Sequence, residues 1–352
     1  PYIDAVIGPQ SYQNFPEILS KLNERKNKLN FTDFKVDEKF DKLNVIKNSD
    51  SKISSFITVQ EGCDKFCNFC VVPYTRGPEH SRSPKEIISE AKDLILNGAR
   101  EITLLGQNVN AYSYNVDGVN YKLSNLIMEL DNLKELKRIR YTTSHPKDMT
   151  NDLIDCHKTS KKLVPFVHLP IQSGSNKILK SMNRRHTREE YLSTIKDLIK
   201  TRSDIKFSSD FIVGYPGETE KDFYETLALI KEINFINSFS FIYNPRPGTP
   251  ASNFKGINKK IQKQRLLTLQ NLLEKIQLKE NKNQVGCLKK VLVENKMKNQ
   301  KNYFGRTDNL TPVIISNIKG QDVGKIINVK VKGYNRNTLF AVKENMEREV
   351  AA

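Results

Sequence analysis

An incomplete, splayed parallel barrel of six β/α units, followed by a small antiparallel β-barrel, is the α/β fold that the sequence predicts. Three observations carry it. Short β-branched or aromatic runs alternate with amphipathic helical stretches between residues 53 and 242. A long helical stretch then follows, and beyond it come only short strands separated by Gly, Asn and Asp turns. Strands separated by helices pair in parallel, because the connection must cross over the sheet. Six such units are too few to close an eight-stranded barrel.

Taken in order, residues 1–21 read as the remnant of a preceding domain. The sequence opens on Pro1 in PYIDAVIGPQ, which resembles a final strand, so its beginning is expected to be missing. Residues 22–50, rich in Lys, Asn, Asp and Phe without a period of 2 or 3.6, read as a linker. Residues 51–283 form the core domain, with strands expected at 53–59, 101–106, 138–143, 165–169, 207–213 and 238–242. Ser83-Pro84-Lys85-Glu86 starts one helix with Pro at its first position, and Thr187-Arg188-Glu189-Glu190 is a capping box for another. Cys63, Gln107, Ser144, Gln172 and Gly214 fall at the C-terminal ends of the strands, where a barrel of this kind places its active site. The helix at 259–282 carries Ile261, Leu266, Leu269, Leu272, Leu273 and Ile276 at helical spacing. Residues 284–347 then form the small barrel, with strands at 288–293, 305–307, 312–315, 325–331 and 338–342.

The chain has 57 Lys and Arg against 40 Asp and Glu, a formal charge of +17, and a sequence pI near 9.5. Such a field favours a polyanionic partner, with nucleic acid the first candidate. The segment 289–348 alone holds 13 Lys and Arg, which suits RNA, the alternative being a solvated basic surface. No apolar run approaches a bilayer span and no signal peptide opens the sequence, so neither a membrane nor a secretory role is expected.

Five cysteines, three of them within eight positions, make a disulfide framework a poor reading and point to a reducing cytoplasm. Cys63, Cys67 and Cys70 form Cys-x-x-x-Cys-x-x-Cys just after the first strand. Three thiolates this close can hold three corners of an iron–sulfur cube. The usual fourth cysteine is absent from the loop, so one iron would keep an open position for a substrate or cofactor. A zinc site of three cysteines and His80 is the alternative that spacing allows. Cys156 and Cys287 read as small buried hydrophobes.

With its continuation VVPYTRGPEHSR (71–82), this loop resembles the radical S-adenosylmethionine (SAM) superfamily and, within it, the methylthiotransferases. Further agreeing segments are LGQNVNAY (105–112), YTTSHP (141–146), HLPIQSGS (168–175), SDFIVGYPGET (209–219) and RPGTP (246–250). The terminal barrel resembles the TRAM module, an RNA-binding unit, with Gly305-Arg306-Thr307 in its expected place. RGPEHSR (76–82) and QNVNAY (107–112) look most like the branch acting on isopentenyl (dimethylallyl) adenosine in tRNA. The sister branches act on threonylcarbamoyladenosine in tRNA or on a ribosomal protein. A noncatalytic RNA-binding protein stabilised by a metal is the reading from another class.

The resemblance implies that Cys63, Cys67 and Cys70 hold a 4Fe–4S cluster whose open iron is chelated by SAM. One-electron cleavage then yields a radical that acts at adenine C2, where a methylthio group is added. It implies the anticodon arm of tRNA as partner, a flavodoxin- or ferredoxin-like electron donor, and a cytoplasmic monomer. Phe69 is expected over the adenine of the cofactor, Gln107 and Asn108 at its methionine end, and Ser144, Gln172, Ser173 and Asp210 facing the same mouth. Gly214 would bring backbone close to a nucleoside, and Arg76, Arg82, Arg184 and Arg185 would meet RNA phosphate. The sequence departs from the family in one respect. Members carry three further cysteines in an N-terminal domain for an auxiliary 4Fe–4S cluster linked to sulfur transfer, and none precedes Cys63 here. As it stands, the sequence is expected to bind one cluster and to fail at sulfur insertion.

Overall fold

A computed structural model describes residues 3–8, 11, 14–24, 29–32 and 52–344. Most of the expected linker at 22–50 therefore lies outside the described residues. At its start the helix Phe15–Glu24 continues, and Leu29–Phe31 pairs in parallel with Ala5–Ile7. Strands of three residues are too short to leave a period in the sequence.

The core strands are arranged in chain order. Ser54–Thr58, Glu101–Leu105 and Arg138–Thr142 pair in parallel, and a parallel bridge from Ile139 to Leu163 leads to Phe166–His168. Phe166–His168 pairs with Lys206–Ser208, and Asp210–Val213 pairs with Phe239–Ile242, again in parallel. The single strand expected at 207–213 is broken at Ser209, whose N–H donates to the Ser238 hydroxyl at 3.0 Å.

The pleat sorts side chains to two faces. Ile57, Ile102, Leu104, Ile139 and Val167 are fully buried beneath the outer helices. Each such side chain contributes about 1.5–3 kcal/mol of apolar burial. Ser54, Glu101 and Arg138 lie in register on the opposite, inner face. The helices start where local chemistry directs. Pro84 opens Pro84–Leu96, and Thr187 caps Arg188–Thr201, its hydroxyl accepting from the Glu190 N–H at 3.1 Å.

The long helix Lys259–Asn283 packs on the last core strand and leads into the small barrel. Leu288–Lys296, Tyr303–Thr307, Pro312–Ser316, Ile326–Tyr334 and Leu339–Lys343 close on themselves. Four of the five pairings are antiparallel; Pro312–Ser316 and Leu339–Lys343 run parallel. An odd number of strands cannot alternate direction all the way round a closed ring, so the fully antiparallel barrel expected from sequence gains one parallel seam.

This barrel docks at the N-terminal ends of the core strands. Arg138 donates to the carbonyls of Arg306 (2.8 Å) and Lys290 (3.3 Å) and pairs with Asp308 at 2.6 Å. Arg140 donates to the carbonyls of Asp308 and Thr307 and pairs with Glu101 at 3.0 Å. The cysteine loop follows the opposite, C-terminal ends. A five-residue strand, about 17 Å long, separates the two. No helix among the described residues is long and apolar enough to cross a membrane.

Candidate active site at the cysteine loop

The loop turns on Gly62, whose φ is +80°. A β-carbon there would lie 1.9 Å from the Pro78 carbonyl oxygen, so only glycine fits. Gly62→Ala would add a backbone penalty of about 1–3 kcal/mol to that collision. The expected result is lower iron uptake at unchanged far-ultraviolet circular dichroism.

Neighbouring units fasten the loop across the barrel mouth. The Gly62 N–H donates to Gln107 Oε1 at 2.6 Å, and the Gly62 carbonyl accepts from Gln60 Nε2 at 2.8 Å. The Cys63 N–H donates to the Gly77 carbonyl and the Asn68 N–H to the Met182 carbonyl. The Asn183 amide donates to the Phe66 carbonyl at 2.8 Å. Lys65 pairs with Asp148 at 2.8 Å, and the Asn108 amide donates to Glu79 and Asp148, both at 2.8 Å. Gln107 Oε1 and the Asn108 amide nitrogen thus help to shape the loop.

All five cysteines are free thiols. Cys67 is buried, while Cys63 and Cys70 are half-buried. Burial raises the Cys63 thiol to about 12, a backbone bond from Lys65 opposes the shift, and Glu79, Cys67 and Cys70 add to it. Burial likewise raises Cys70, against a backbone bond from Val72. Burial that disfavours the Cys63 and Cys70 thiolates is offset when a cationic centre compensates their charge, so three neighbouring cysteines fit a thiolate-ligated cluster. Among the described residues, no group of three or more His, Cys, Asp or Glu side chains, the three loop cysteines included, is already drawn together around a single metal ion.

Several buried polar atoms of the core domain are unpartnered. The Ser144 hydroxyl, Gln172 Oε1, Asn108 Oδ1, Arg184 Nε, and Nε2 of both His145 and His186 are buried without a hydrogen-bond partner. Such groups need polar ligands or water. Phe69, Gln172 and Asp210 line a cleft of ≈ 620 Å³ together with Ile212, Phe241, Tyr243 and Arg246. His168 lies beside it, with Nε2 3.6 Å from Asp210 and Nδ1 2.6 Å from the Ser208 hydroxyl.

Several expectations are corrected. Ser173 does not face the mouth. It is fully buried against the helix at 220–233, its hydroxyl 3.3 Å from that of Thr226. Gly214 keeps a positive φ, and the Gln262 side chain covers its α-carbon and donates to its carbonyl at 2.9 Å. Arg82 is buried against Glu86 and Glu90, and Arg184 is buried beside Cys67, so neither meets phosphate. Arg76 pairs with Glu61 at 3.5 Å, and Arg185 is exposed. Cys156 is buried as expected, whereas Cys287 is exposed. Sequence reasoning missed Gln60, Lys65, Glu79 and Asp148, which nothing in local spacing marks.

The chain matches the radical SAM superfamily over residues 57–230 and the TRAM domain over 282–343. It is 55% identical to the tRNA-2-methylthio-N(6)-dimethylallyladenosine synthase of Pelagibacter ubique (strain HTCC1062), over 100% of this chain and 79% of that protein. It is 48% identical to the synthase of the same name from Wolbachia pipientis subsp. Culex pipiens (strain wPip), over 97% and 78%. Among solved structures, coproporphyrinogen III oxidase from Escherichia coli, a radical SAM enzyme, aligns with a TM-score of 0.50 at 15% identity, covering 79% of this chain and 71% of that one. That likeness concerns the fold alone. Identity of this order across the whole length, cysteine loop and terminal barrel included, places the chain in the radical SAM tRNA methylthiotransferase family whose curated members are tRNA-2-methylthio-N(6)-dimethylallyladenosine synthases.

Proposed function

We propose that the chain adds a methylthio group to C2 of dimethylallyladenosine in the anticodon arm of tRNA. The observation that carries this reading is the set of three free thiols on one glycine-hinged loop at the mouth of a parallel barrel, in a chain related to the synthases over its whole length. Cys63, Cys67 and Cys70 would hold a 4Fe–4S cluster, and the adjoining cleft would take SAM. When bound, these groups supply one-electron reductive cleavage of the sulfonium.

The chain's own residues set the stage. Gln60, Gln107 and Asn108 fix the loop. Phe69 offers an aromatic wall of the cleft, while Gln172 and Asp210 offer polar contacts. Ser144, just past the C-terminal end of the strand Arg138–Thr142, presents a buried, unpartnered hydroxyl.

The +17 charge suits both tRNA and an acidic flavodoxin- or ferredoxin-like electron donor, and the chain is read as a cytoplasmic monomer. RNA held by the terminal barrel must run along the core domain to reach the loop. The five cysteines of this sequence supply one cluster only, so an auxiliary sulfur-transfer cluster would need ligands outside it.

Mass spectrometry of tRNA nucleosides tests the substrate assignment. Cells lacking the gene are expected to accumulate dimethylallyladenosine in place of its 2-methylthio derivative. Unchanged 2-methylthio-dimethylallyladenosine would contradict the reading, and loss of methylthiolation on a ribosomal protein instead would move the chain to the sister branch.

A further inference from the structure

The buried guanidinium of Arg184 has no assigned role. It is 5% exposed, and its Nη1 lies 3.4 Å from Cys67 Sγ. Nη2 donates to the Pro170 carbonyl at 2.5 Å, and Nε has no partner. Among the described residues, no carboxylate forms an ion pair with it. The neighbouring rings of His145 and His186 stack edge to face at 5.8 Å and bring no negative charge. Burial holds both histidines below their usual range, with the charge of Arg184 adding to the shift; His186 falls to about 4.

A buried charge is costly unless something opposite compensates it. The thiolates of the cysteine loop are the anionic groups within its reach. We infer that Arg184 is a positioning residue for the cluster held by Cys63, Cys67 and Cys70, its N–H···S bond and its charge raising the cluster's reduction potential. The inference rests on the three-cysteine cluster proposed above. Reduction adds negative charge to the cluster, and a fixed positive charge at a ligand sulfur favours that state. Hydrogen bonds to ligand sulfurs act in the same direction.

The pattern also explains why the arginine is buried. It lies just past the turn Met182–Asn183, whose carbonyl and amide bind the loop backbone at Asn68 and Phe66. One segment therefore holds both the backbone of the loop and its most buried sulfur. Arg185, one residue on, is exposed and serves as an internal control.

The test is a redox titration followed by electron paramagnetic resonance, on the anaerobically reconstituted chain without SAM. Arg184→Gln is expected to retain about four irons per chain and to shift the reduction equilibrium at least tenfold toward the oxidised cluster, 59 mV for a one-electron couple. Arg184→Lys, which keeps the charge but not the planar fork, is expected to shift less in the same direction, and Arg185→Gln not at all. A wild-type potential in Arg184→Gln, or an equal shift in Arg185→Gln, would overturn the inference while leaving the cluster intact. If Arg184→Gln takes up no iron, Arg184→Lys decides: a lowered potential supports the role, and an unchanged one refutes it. A wild-type chain that binds no iron would instead bring down the cluster reading, and this inference with it.

Discussion

Cys67→Ala is expected to remove the brown iron–sulfur absorbance and to lower reductive SAM cleavage by at least about a thousandfold, a small part of what enzymes of this power supply. Of the three loop thiols it is the most buried, and it receives the Arg184 N–H. Its loss leaves two ligands for a cluster that needs three protein sulfurs and an open iron. Cys63→Ala and Cys70→Ala are expected to behave alike. Cys156→Ala and Cys287→Ala are expected to leave iron content and cleavage unchanged, because Cys156 lies against the Ser124 carbonyl in the helical layer and Cys287 is exposed at the start of the terminal barrel. A colourless, zinc-containing wild-type product would favour the noncatalytic RNA-binding reading.

The second large effect lies at the other end of the strands. Glu101→Ala is expected to destabilise the chain by about 3–5 kcal/mol, the usual cost of leaving buried charges without their partner. Glu101 and Arg138 are each 2% exposed and Arg140 is 4% exposed. Arg140 pairs with Glu101 at 3.0 Å, and Arg138 keeps Asp308 at 2.6 Å if Glu101 is lost. The same arginines hold the carbonyls of residues 306–308, so the barrel interface loosens as the charges lose their order. Urea unfolding monitored by circular dichroism reads the midpoint, and an unshifted midpoint would contradict the expectation.

A pH dependence follows from the same site. Burial of Glu101 opposes its ionisation, but Arg140 and Arg138, with the Ser54 hydroxyl, outweigh it and leave the carboxyl below its ordinary value. A carboxyl that ionises more readily when folded contributes stability that is fully present above its unfolded pKa and is lost as pH falls through the folded one. Wild type is therefore expected to lose more stability than Glu101→Gln between neutral and acid pH. Parallel curves for the two would count against the network.

The fold was largely legible because its signals are local and repeated. Six β-branched runs separated by capped helices admit few arrangements, and the Thr187 capping box forms as the sequence specifies. The parallel seam of the small barrel was not legible from strand patterns, since it follows from the parity of a closed ring. At the site, the cysteine spacing is a local signal and placed the loop. The orientation of other residues depends on contacts from distant segments. Ser173 is taken up by Thr226, 53 positions on, and Gly214 is covered by Gln262 from a helix 48 positions on. Arg184 reads as a phosphate contact in sequence, because nothing local shows that it is buried 117 positions from its sulfur partner. Length and periodicity report secondary structure, whereas the burial of a charge is settled only by packing.

The proposed activity requires that the loop carry a cluster that cleaves SAM. The most direct measurement is product analysis after anaerobic reconstitution with iron and sulfide, followed by dithionite and SAM. Methionine and 5′-deoxyadenosine are expected in equal amounts, at about four irons per chain, and neither from Cys67→Ala. An iron-replete chain that leaves SAM intact, or cleavage that survives Cys67→Ala, would contradict it.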